Sequence, residues 1–240
     1  MDVEREGPVA RIFLNRPEKA NALHSALLVR LRVAVEELAA DETLRAIVLA
    51  GRGRTFCGGA DVDELKALTR ETAGAFVSLI HEVCRALRML PVPVLARLHG
   101  AVIGAGLEIA AACDLRIAAD GTKFAMPEVR LGIPSVVEAA LLPRLMGSGR
   151  AAWLVLTGEA IDARRALEWG LVEEVSSNVD EAVTLVVKHL LAGEREALRM
   201  QKQLLQLWEE APLATSVTAS IERFARIHTT ISSGLEGRKA

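Results

Sequence analysis

Short apolar runs alternate with longer amphipathic stretches over the first two thirds of the chain. Four runs have the length and composition of buried strands: Val9 to Leu14, Leu44 to Ala50, Val94 to Leu98 and Leu115 to Ala119. Helical patterns separate these runs. Because a strand–helix–strand rhythm brings successive strands side by side in one direction, the pattern predicts a mostly parallel sheet covered by helices.

Three helices are predicted between the strands. Ser25 stands where it can cap the first, and the third begins near Ala105. The second is the longest and ends at Pro91, since proline cannot continue a helix. The apolar faces of the first two helices consist of Leu28, Leu31, Val35 and Leu38, and of Phe76, Leu79, Ile80, Val83, Leu87 and Leu90.

The pattern changes after Ser135, where the strand signal nearly vanishes and helical periodicity takes over. It is broken at Gly170–Val172 and at Ser176–Asn178. We therefore expect an α/β core over residues 1–190 and a helical region over 191–240. This region stays apolar, which predicts that it is buried in an oligomer of closed cyclic symmetry. Its apolar residues include Leu204, Leu205, Leu207, Trp208, Ile221, Phe224 and Ile227.

Composition and charge narrow the class of protein. The chain is 51% hydrophobic and 25% charged, as in ordinary globular proteins, and its net charge is only −2. It has no tyrosine and only 3% aromatic residues, so neither electrostatics nor stacking favours a nucleic acid partner. We expect no membrane partner either, because no apolar run is long enough to cross a bilayer.

The cysteines and the N-terminus indicate a cytosolic protein. Cys57, Cys84 and Cys113 lie far apart, without the spacing of a disulfide framework or a zinc site. Each is interpreted as a small buried hydrophobic residue in a reducing compartment. The first residues carry charges where a signal peptide needs an apolar run. We therefore expect no metal and a cytoplasmic location.

The segment Gly100–Asp114 (GAVIGAGLEIAAACD) carries the first candidate chemistry. Gly104 and its small neighbours open a helix, where backbone N–H groups attract negative charge. Glu108 is a lone carboxylate one turn later in an apolar helix. It either complements the helix dipole or is a buried acid with a raised pKa, suited to proton transfer.

Three familiar alternatives fail for this segment. A dinucleotide-binding fingerprint needs a glycine or alanine where Ile109 stands. A phosphate-binding P-loop needs a Gly-Lys-Ser/Thr sequence, and a nucleophile elbow needs Gly-x-Ser-x-Gly. Neither sequence occurs here.

Two further motifs expose backbone or a carboxylate. FCGGAD (56–61) places Gly58 and Gly59 before a helical stretch, which taken alone is an ordinary glycine turn. AMPEVRLGIP (125–134) places Glu128 after Pro127 at a candidate helix start, where both residues also fit plain capping chemistry. None of the three motifs decides a function alone.

In this order and spacing, the three motifs resemble the crotonase superfamily, the enoyl-CoA hydratase/isomerase family. NRPEKANAL (15–23) and LTGEAIDARRALEWGLVEEV (156–175) extend the resemblance, which covers roughly residues 9–190. It implies an α/β fold with a crotonase-like ββα spiral core and C-terminal helices that build a homotrimer or a dimer of trimers. It also implies an acyl-CoA thioester substrate and no separate cofactor, since coenzyme A belongs to the substrate.

The resemblance assigns roles to particular residues. The oxyanion hole falls on the backbone N–H groups of Ala60 and Ala105, and the catalytic carboxylates on Glu108 and Glu128. Many relatives have glycine at Ala105, where alanine is tolerable if its φ is negative. Coenzyme A is expected to bind along a further set of residues: Lys19, Ala20, Gly58, Ala60, Asp61, Val62, Asp63 and Gly104.

The chain departs from the family pattern in three places. PSVVEAALLPRL replaces a glycine-rich PGAGGTQRL, and so introduces Val136, Val137 and Glu138. His99 replaces a frequent asparagine, and the chain ends at GLEGRKA without the phenylalanine- and lysine-rich final helix of many relatives. Glu138 is either a first-turn acid that stabilises the helix running toward Leu145, or a third carboxylate that moves a proton at C4 of the acyl chain.

Three functions are therefore compared. The leading hypothesis is an enoyl-CoA hydratase that adds water across the 2,3 double bond of a trans-2-enoyl-CoA. The second is a double-bond isomerase, or another CoA-thioester lyase or hydrolase, since the same oxyanion hole serves all of them. The third is a catalytically inactive homologue that binds CoA or supports assembly.

Overall fold

The computed structural model describes residues 1–235, and side chains through residue 227, so most of the terminal GLEGRKA segment lies outside it. In the described part the strands are β1 (Asp2–Glu6), β2 (Val9–Leu14), β3 (Ala46–Gly51), β4 (Val94–Leu98), β5 (Ala101–Ile103), β6 (Leu115–Ala119), β7 (Lys123–Ala125), β8 (Ile161–Asp162) and β9 (Glu174–Ser176). A six-stranded sheet has the order β1-β2-β3-β4-β6-β9, and a three-stranded sheet has the order β5-β7-β8.

The predicted strands form the centre of the larger sheet. β2, β4 and β6 coincide with the predicted ranges, and all of these central strands pair in parallel. β3 begins at Ala46 instead of Leu44. The delay arises because Leu44 N–H closes a turn onto the carbonyl of Asp41, at 3.1 Å. The expected mostly parallel sheet is confirmed.

The sequence pattern missed the short and peripheral strands. β1 is an exposed, charged edge strand that pairs antiparallel with β2. The expectation of an essentially helical chain after Ser135 is wrong at β9, which pairs in parallel with β6 and completes the larger sheet. Its three residues are only half-buried, so they lack the apolar run by which a central strand is detected.

The helices are α1 (Ser25–Ala39), α2 (Val62–Ala67), α3 (Arg70–Met89), α4 (Ala105–Ala111), α5 (Leu142–Met146), α6 (Ser148–Thr157), α7 (Ala163–Trp169), α8 (Val179–Ala192), α9 (Arg195–Glu210) and α10 (Leu213–Leu235). The predicted cap of α1 is wrong by one residue. His24 is the N-cap, and its Nδ1 accepts from Leu27 N–H at 3.3 Å. Ser25 instead bonds to Glu64, which ties α1 to α2.

The two faces of the larger sheet are covered by different helices. Along β3, Ile47 and Leu49 enter the main core beneath α1, α3 and α4. Val48, which points the other way, enters a smaller cluster with Val183 and Val187 of α8. β3 is therefore buried on both faces, as parallel strands between helices usually are.

The C-terminal helices α9 and α10 pack against each other beyond this core. Lys202 anchors α9, because its buried ammonium donates to the carbonyls of Leu87 and Val92 and to Asp114 Oδ2, at 3.1, 3.0 and 2.7 Å. The division at residues 190 and 191 stays a prediction. Among the described residues, no helix is long and apolar enough to cross a membrane.

Candidate active site

The two glycine-rich loops meet at the start of α4. Cys57 forms a parallel bridge with Val102, which carries the loop after β3 alongside β5. Gly59 then packs so closely that a Cβ built on it would lie 3.0 Å from Ile103 O and 3.9 Å from Ala105 N. Its φ of +96° also favours glycine. The loop therefore runs directly against the first residue of α4.

Ala60 and Ala105 each have a backbone N–H group that is not used in the local hydrogen bonding of the chain. Leu23 bonds to both neighbours of Ala60, accepting from Asp61 N–H and donating to Gly59 O, at 2.8 Å each. The N–H of Ala60 therefore points to the opposite side, and no described residue accepts from it. Ala105 is the first residue of α4, so its N–H has no partner within the helix. Its φ is negative, as the alanine at this position requires.

Glu108 is a buried carboxyl group in the first turn of α4. Its Oε1 accepts from Ala139 N–H at 3.2 Å. Burial, and after it the nearby carboxylate of Glu128, raise the pKa of Glu108 to about 8 against the opposing effect of the Ala139 hydrogen bond. At neutral pH Glu108 therefore carries a proton that it can donate.

Glu128 lies beside Gly104. It begins a single 3₁₀ turn, Glu128–Leu131, in which Pro127 is the N-cap. Its Oε2 accepts from Ser135 Oγ at 2.9 Å. A Cβ at Gly104 would collide with Glu128 Oε1, so only glycine lets this carboxylate approach the start of α4. The structure thus brings Glu108 and Glu128 together from motifs twenty residues apart.

Glu138 is buried beside this pair. It lies on a 3₁₀ turn, Val137–Leu141, that precedes α5, and its side chain makes no capping hydrogen bond. Its Oε1 instead lies 2.8 Å from Nδ1 of His81, on α3. Glu138 thus stands in the first turn of this 3₁₀ segment with its side chain buried, and its role as a first-turn acid or as a third carboxylate stays a prediction.

The loops expected to bind coenzyme A are neighbours in space. Gly58 N–H donates to Ala20 O at 2.8 Å, and Lys19 Nζ lies 3.1 Å from Asp63 Oδ2. Val62, at the start of α2, is exposed. Together these residues line one open edge next to Ala60.

Asp61 holds this edge in place. Its Oδ1 accepts from Asp63 and Glu64 N–H at 2.9 and 3.2 Å, which caps α2. Its Oδ2 pairs with Arg16, and that hydrogen bond holds the pKa of Asp61 below its usual range. Asp61 thus shapes the loop. From the sequence alone, this structural role could not be distinguished from direct contact with a ligand.

Sequence reasoning missed several residues that position the site. Asn21, fully buried, donates to the carbonyls of Thr55 and Phe56 and accepts from Arg16 N–H, so it fastens the Lys19 loop to the glycine loop. Ala20 and Asn21 both have positive φ, a conformation that no local signal announces for alanine. Ser135 and His81 were missed because nothing in their own segments indicates a carboxylate partner.

Comparisons with known proteins identify the family. The model of the family described as enoyl-CoA hydratase/isomerase matches residues 4–240. The chain is 33% identical over 232 residues to the short-chain-enoyl-CoA hydratase of Clostridium acetobutylicum, covering 95% of this chain and 89% of the relative. It is 31% identical over 248 residues to the crotonyl-CoA hydratase of Syntrophomonas wolfei, covering 99% and 95%.

The fold is also that of solved structures in this group. The crystal structure of enoyl-CoA hydratase from Bacillus anthracis superposes with a TM-score of 0.94 at 31% identity, covering 99% of this chain and 95% of the other. The enoyl-CoA hydratase from Mycobacterium smegmatis gives a TM-score of 0.93 at 32% identity. The crotonase fold expected from the motifs is thereby confirmed, and the chain belongs to the enoyl-CoA hydratase/isomerase family.

Proposed function

We propose that this chain is an enoyl-CoA hydratase, a lyase that adds water across the 2,3 double bond of a trans-2-enoyl-CoA thioester. One observation carries the proposal: a buried Glu108 with a raised pKa and the carboxylate of Glu128 both lie beside Gly104, next to two N–H groups from which no described residue accepts. The names of the relatives support the same reaction.

The N–H groups of Ala60 and Ala105 form the oxyanion hole in this proposal. Attack of water on C3 places negative charge on the thioester oxygen, as an enolate. Two donors fixed by backbone geometry stabilise that charge without reorganising, and each contributes about 3 kcal/mol to lowering the barrier. The start of α4 adds the favourable end of a helix dipole.

The two glutamates handle the protons. Glu108 and Glu128 hold the water between them; one accepts its proton as the oxygen attacks C3, and the other delivers a proton to C2. The raised pKa of Glu108 makes it the protonated member of the pair at neutral pH. Ser135 fixes Glu128 by its hydrogen bond, so the water has a defined position.

The coenzyme A portion lies, in this proposal, along the edge formed by Lys19, Ala20 and the Gly58–Asp63 segment. Lys19 supplies a cation at the solvent end, where the phosphates of coenzyme A need one. The cytosol is the proposed location. It is supported by three buried cysteines that are all free thiols: Cys57, Cys84 and Cys113.

The experiment measures hydration of a short and a medium trans-2-enoyl-CoA, with product analysis. Glu108→Gln and Glu128→Gln should each lower turnover at least about a hundredfold, the usual range for general acid–base catalysis. Binding of a saturated acyl-CoA should change little. The control is Glu168→Gln, on an exposed carboxylate of α7.

Two outcomes would contradict this proposal, the first in its mechanism and the second in its reaction. Near-normal hydration by Glu108→Gln removes that residue from the mechanism. A wild-type chain that binds acyl-CoA but forms neither a hydrated nor an isomerised product would instead be an inactive homologue.

A further inference from the structure

Glu138 has an oxygen for which the fold provides no strong hydrogen-bond donor. The side chain is buried, at 6% exposure, and Oε1 is engaged by His81. Oε2 is also buried and accepts no hydrogen bond of normal geometry from the described residues, with only the weak thiol donor of Cys84 recorded beside this carboxyl group. Leaving a buried carboxylate oxygen without a strong donor costs free energy, so native structures rarely keep one without a function.

Glu138 lies between an imidazole at the surface and a carboxyl group and a thiol inside the protein. Its side-chain hydrogen-bond partner among the described residues is His81, whose side chain is 53% exposed. On the inner side lie Glu108 and the thiol of Cys84. Burial, together with the carboxyl groups of Glu138 and Glu108, raises the pKa of Cys84 well above its usual range, so this thiol stays neutral. The inner wall therefore offers Glu138 no cation.

Glu138 is linked directly to the proposed catalytic pair. Its neighbour Ala139 donates its N–H to Glu108, which fixes the turn against α4. The turn also packs against α3, which carries both Cys84 and His81. A carboxylate is thus held between the buried pair and an imidazole at the surface.

The backbone entering this turn is strained. Val137 has a φ of +40°, a value that β-branched residues rarely adopt. Such conformations persist only where the surrounding structure enforces them, and they cluster at functional sites. Here the unusual φ lies immediately before Glu138, in the segment that replaces a glycine-rich pattern of relatives.

We propose that Glu138 and His81 form a second acid–base centre in this active site, which exchanges the proton at C4 of an enoyl-CoA with solvent. The proposal rests on the proposed function, since it uses the same thioester site and oxyanion hole. Glu138 is the catalytic base, and His81 is a positioning residue that relays its proton to water.

The proposed step is a balanced proton transfer. Glu138 takes a proton from C4; the C4–H electron pair forms a C3–C4 double bond, and the 2,3 π electrons move to the thioester as a dienolate held by the oxyanion hole. Glu138 passes its proton to Nδ1 of His81, which releases one from Nε2 to water. Reprotonation at C4 with a proton from solvent returns the substrate, which is deuterated at C4 when the solvent is D₂O. Reprotonation at C2 from Glu108 gives the 3-enoyl-CoA.

The test incubates the enzyme with trans-2-hexenoyl-CoA in D₂O. Deuterium at C4, formation of 3-hexenoyl-CoA and hydration are followed by NMR and mass spectrometry. Wild type should incorporate deuterium at C4 well above the enzyme-free rate. Glu138→Gln should reduce that incorporation at least about a hundredfold, and Glu168→Gln should not reduce it.

The His81→Gln variant distinguishes a proton-relay role of His81 from a purely structural role. It also keeps the proposal testable if Glu138→Gln does not fold. Glutamine keeps a hydrogen bond to Glu138 but cannot relay a proton. We therefore expect C4 labelling to fall more than formation of 3-hexenoyl-CoA, since Glu138 then returns the proton it took. Equal loss of both would make His81 merely structural.

The two proposals fail differently. Wild type that hydrates the substrate without labelling C4, or a Glu138→Gln variant that labels C4 normally, overturns this inference alone. Wild type without hydration overturns the proposed function.

Discussion

Glu108 is buried and lies near other carboxylates, and its protonation therefore affects the stability of the folded chain. Its pKa is about 8 in the folded chain against an ordinary value of 4.5. Between these pH values the unfolded chain has released the proton and the folded chain still binds it. The contribution of Glu108 to stability is therefore full below pH 4.5 and is lost as pH rises to 8.

Glu108→Gln should accordingly stabilise the protein more at pH 8.5 than at pH 4.5. Glutamine retains an oxygen for Ala139 N–H but never ionises. At about 1.4 kcal/mol per pKa unit, the gain at the higher pH is at most about 5 kcal/mol. Urea unfolding at both pH values measures it, with Glu168→Gln as control. An equal effect at both pH values would contradict the raised pKa.

Val137 gives a second prediction at the residue scale. Glycine relieves about 1–3 kcal/mol of backbone strain at its φ of +40° and costs about 0.5–1 kcal/mol of chain entropy. Val136, the neighbouring control, has an extended φ of −131° and no strain to relieve, and its side chain is exposed, whereas that of Val137 packs partly against the core. In urea unfolding, Val137→Gly should still be more stable than Val136→Gly, by less than the strain of about 1–3 kcal/mol because it also loses this packing. The reverse order would show that the strain relieved does not exceed the packing lost.

Among elements, α9 depends on one buried cation for its place. Lys202 satisfies two carbonyls and Asp114 at once. Lys202→Met removes the cation from Asp114, which keeps only the Val94 N–H as a donor, and removes a donor from both carbonyls, so we expect a loss of about 3–5 kcal/mol in unfolding free energy. Hydrogen exchange should localise the loss to α9 and the end of α3. Lys188→Met, at an exposed position of α8, should change stability by less than about 0.5 kcal/mol.

At the scale of the whole molecule, α10 presents an apolar stripe to solvent. Leu213, Val217, Ile221 and Phe224 recur every three or four residues and are each at least half exposed. Such a stripe marks an interaction surface. We propose that a second copy of the chain covers it, in a trimer or a dimer of trimers.

Ile221→Glu should weaken this assembly, because it buries a charge in the contact. Light scattering at micromolar concentration should show a trimer or hexamer for wild type and a smaller species for the variant. Thr215→Glu, on the opposite side of α10, is the control. A monodisperse wild-type monomer would exclude the assembly.

The sequence alone determined the central strands, the long helices and the two glutamates. Apolar runs and helical periodicity are local properties of the chain, so β2, β4 and β6 could be placed to the residue. The motif order identified the family, and with it Glu108 and Glu128 as the candidate catalytic residues. Glycines at positions 59 and 104 were visible, although the backbone contacts that require them were not.

Tertiary structure decided what each side chain meets. Edge strands such as β9 are defined by a partner, and their own half-buried residues carry little signal. Glu138 could be a surface cap or a buried base in the sequence; the contact with His81, 57 residues away, decided that it is buried. The pKa of Glu108 likewise depends on burial and on carboxylates from other segments. These are properties of proximity in space, which a pattern along the chain does not encode.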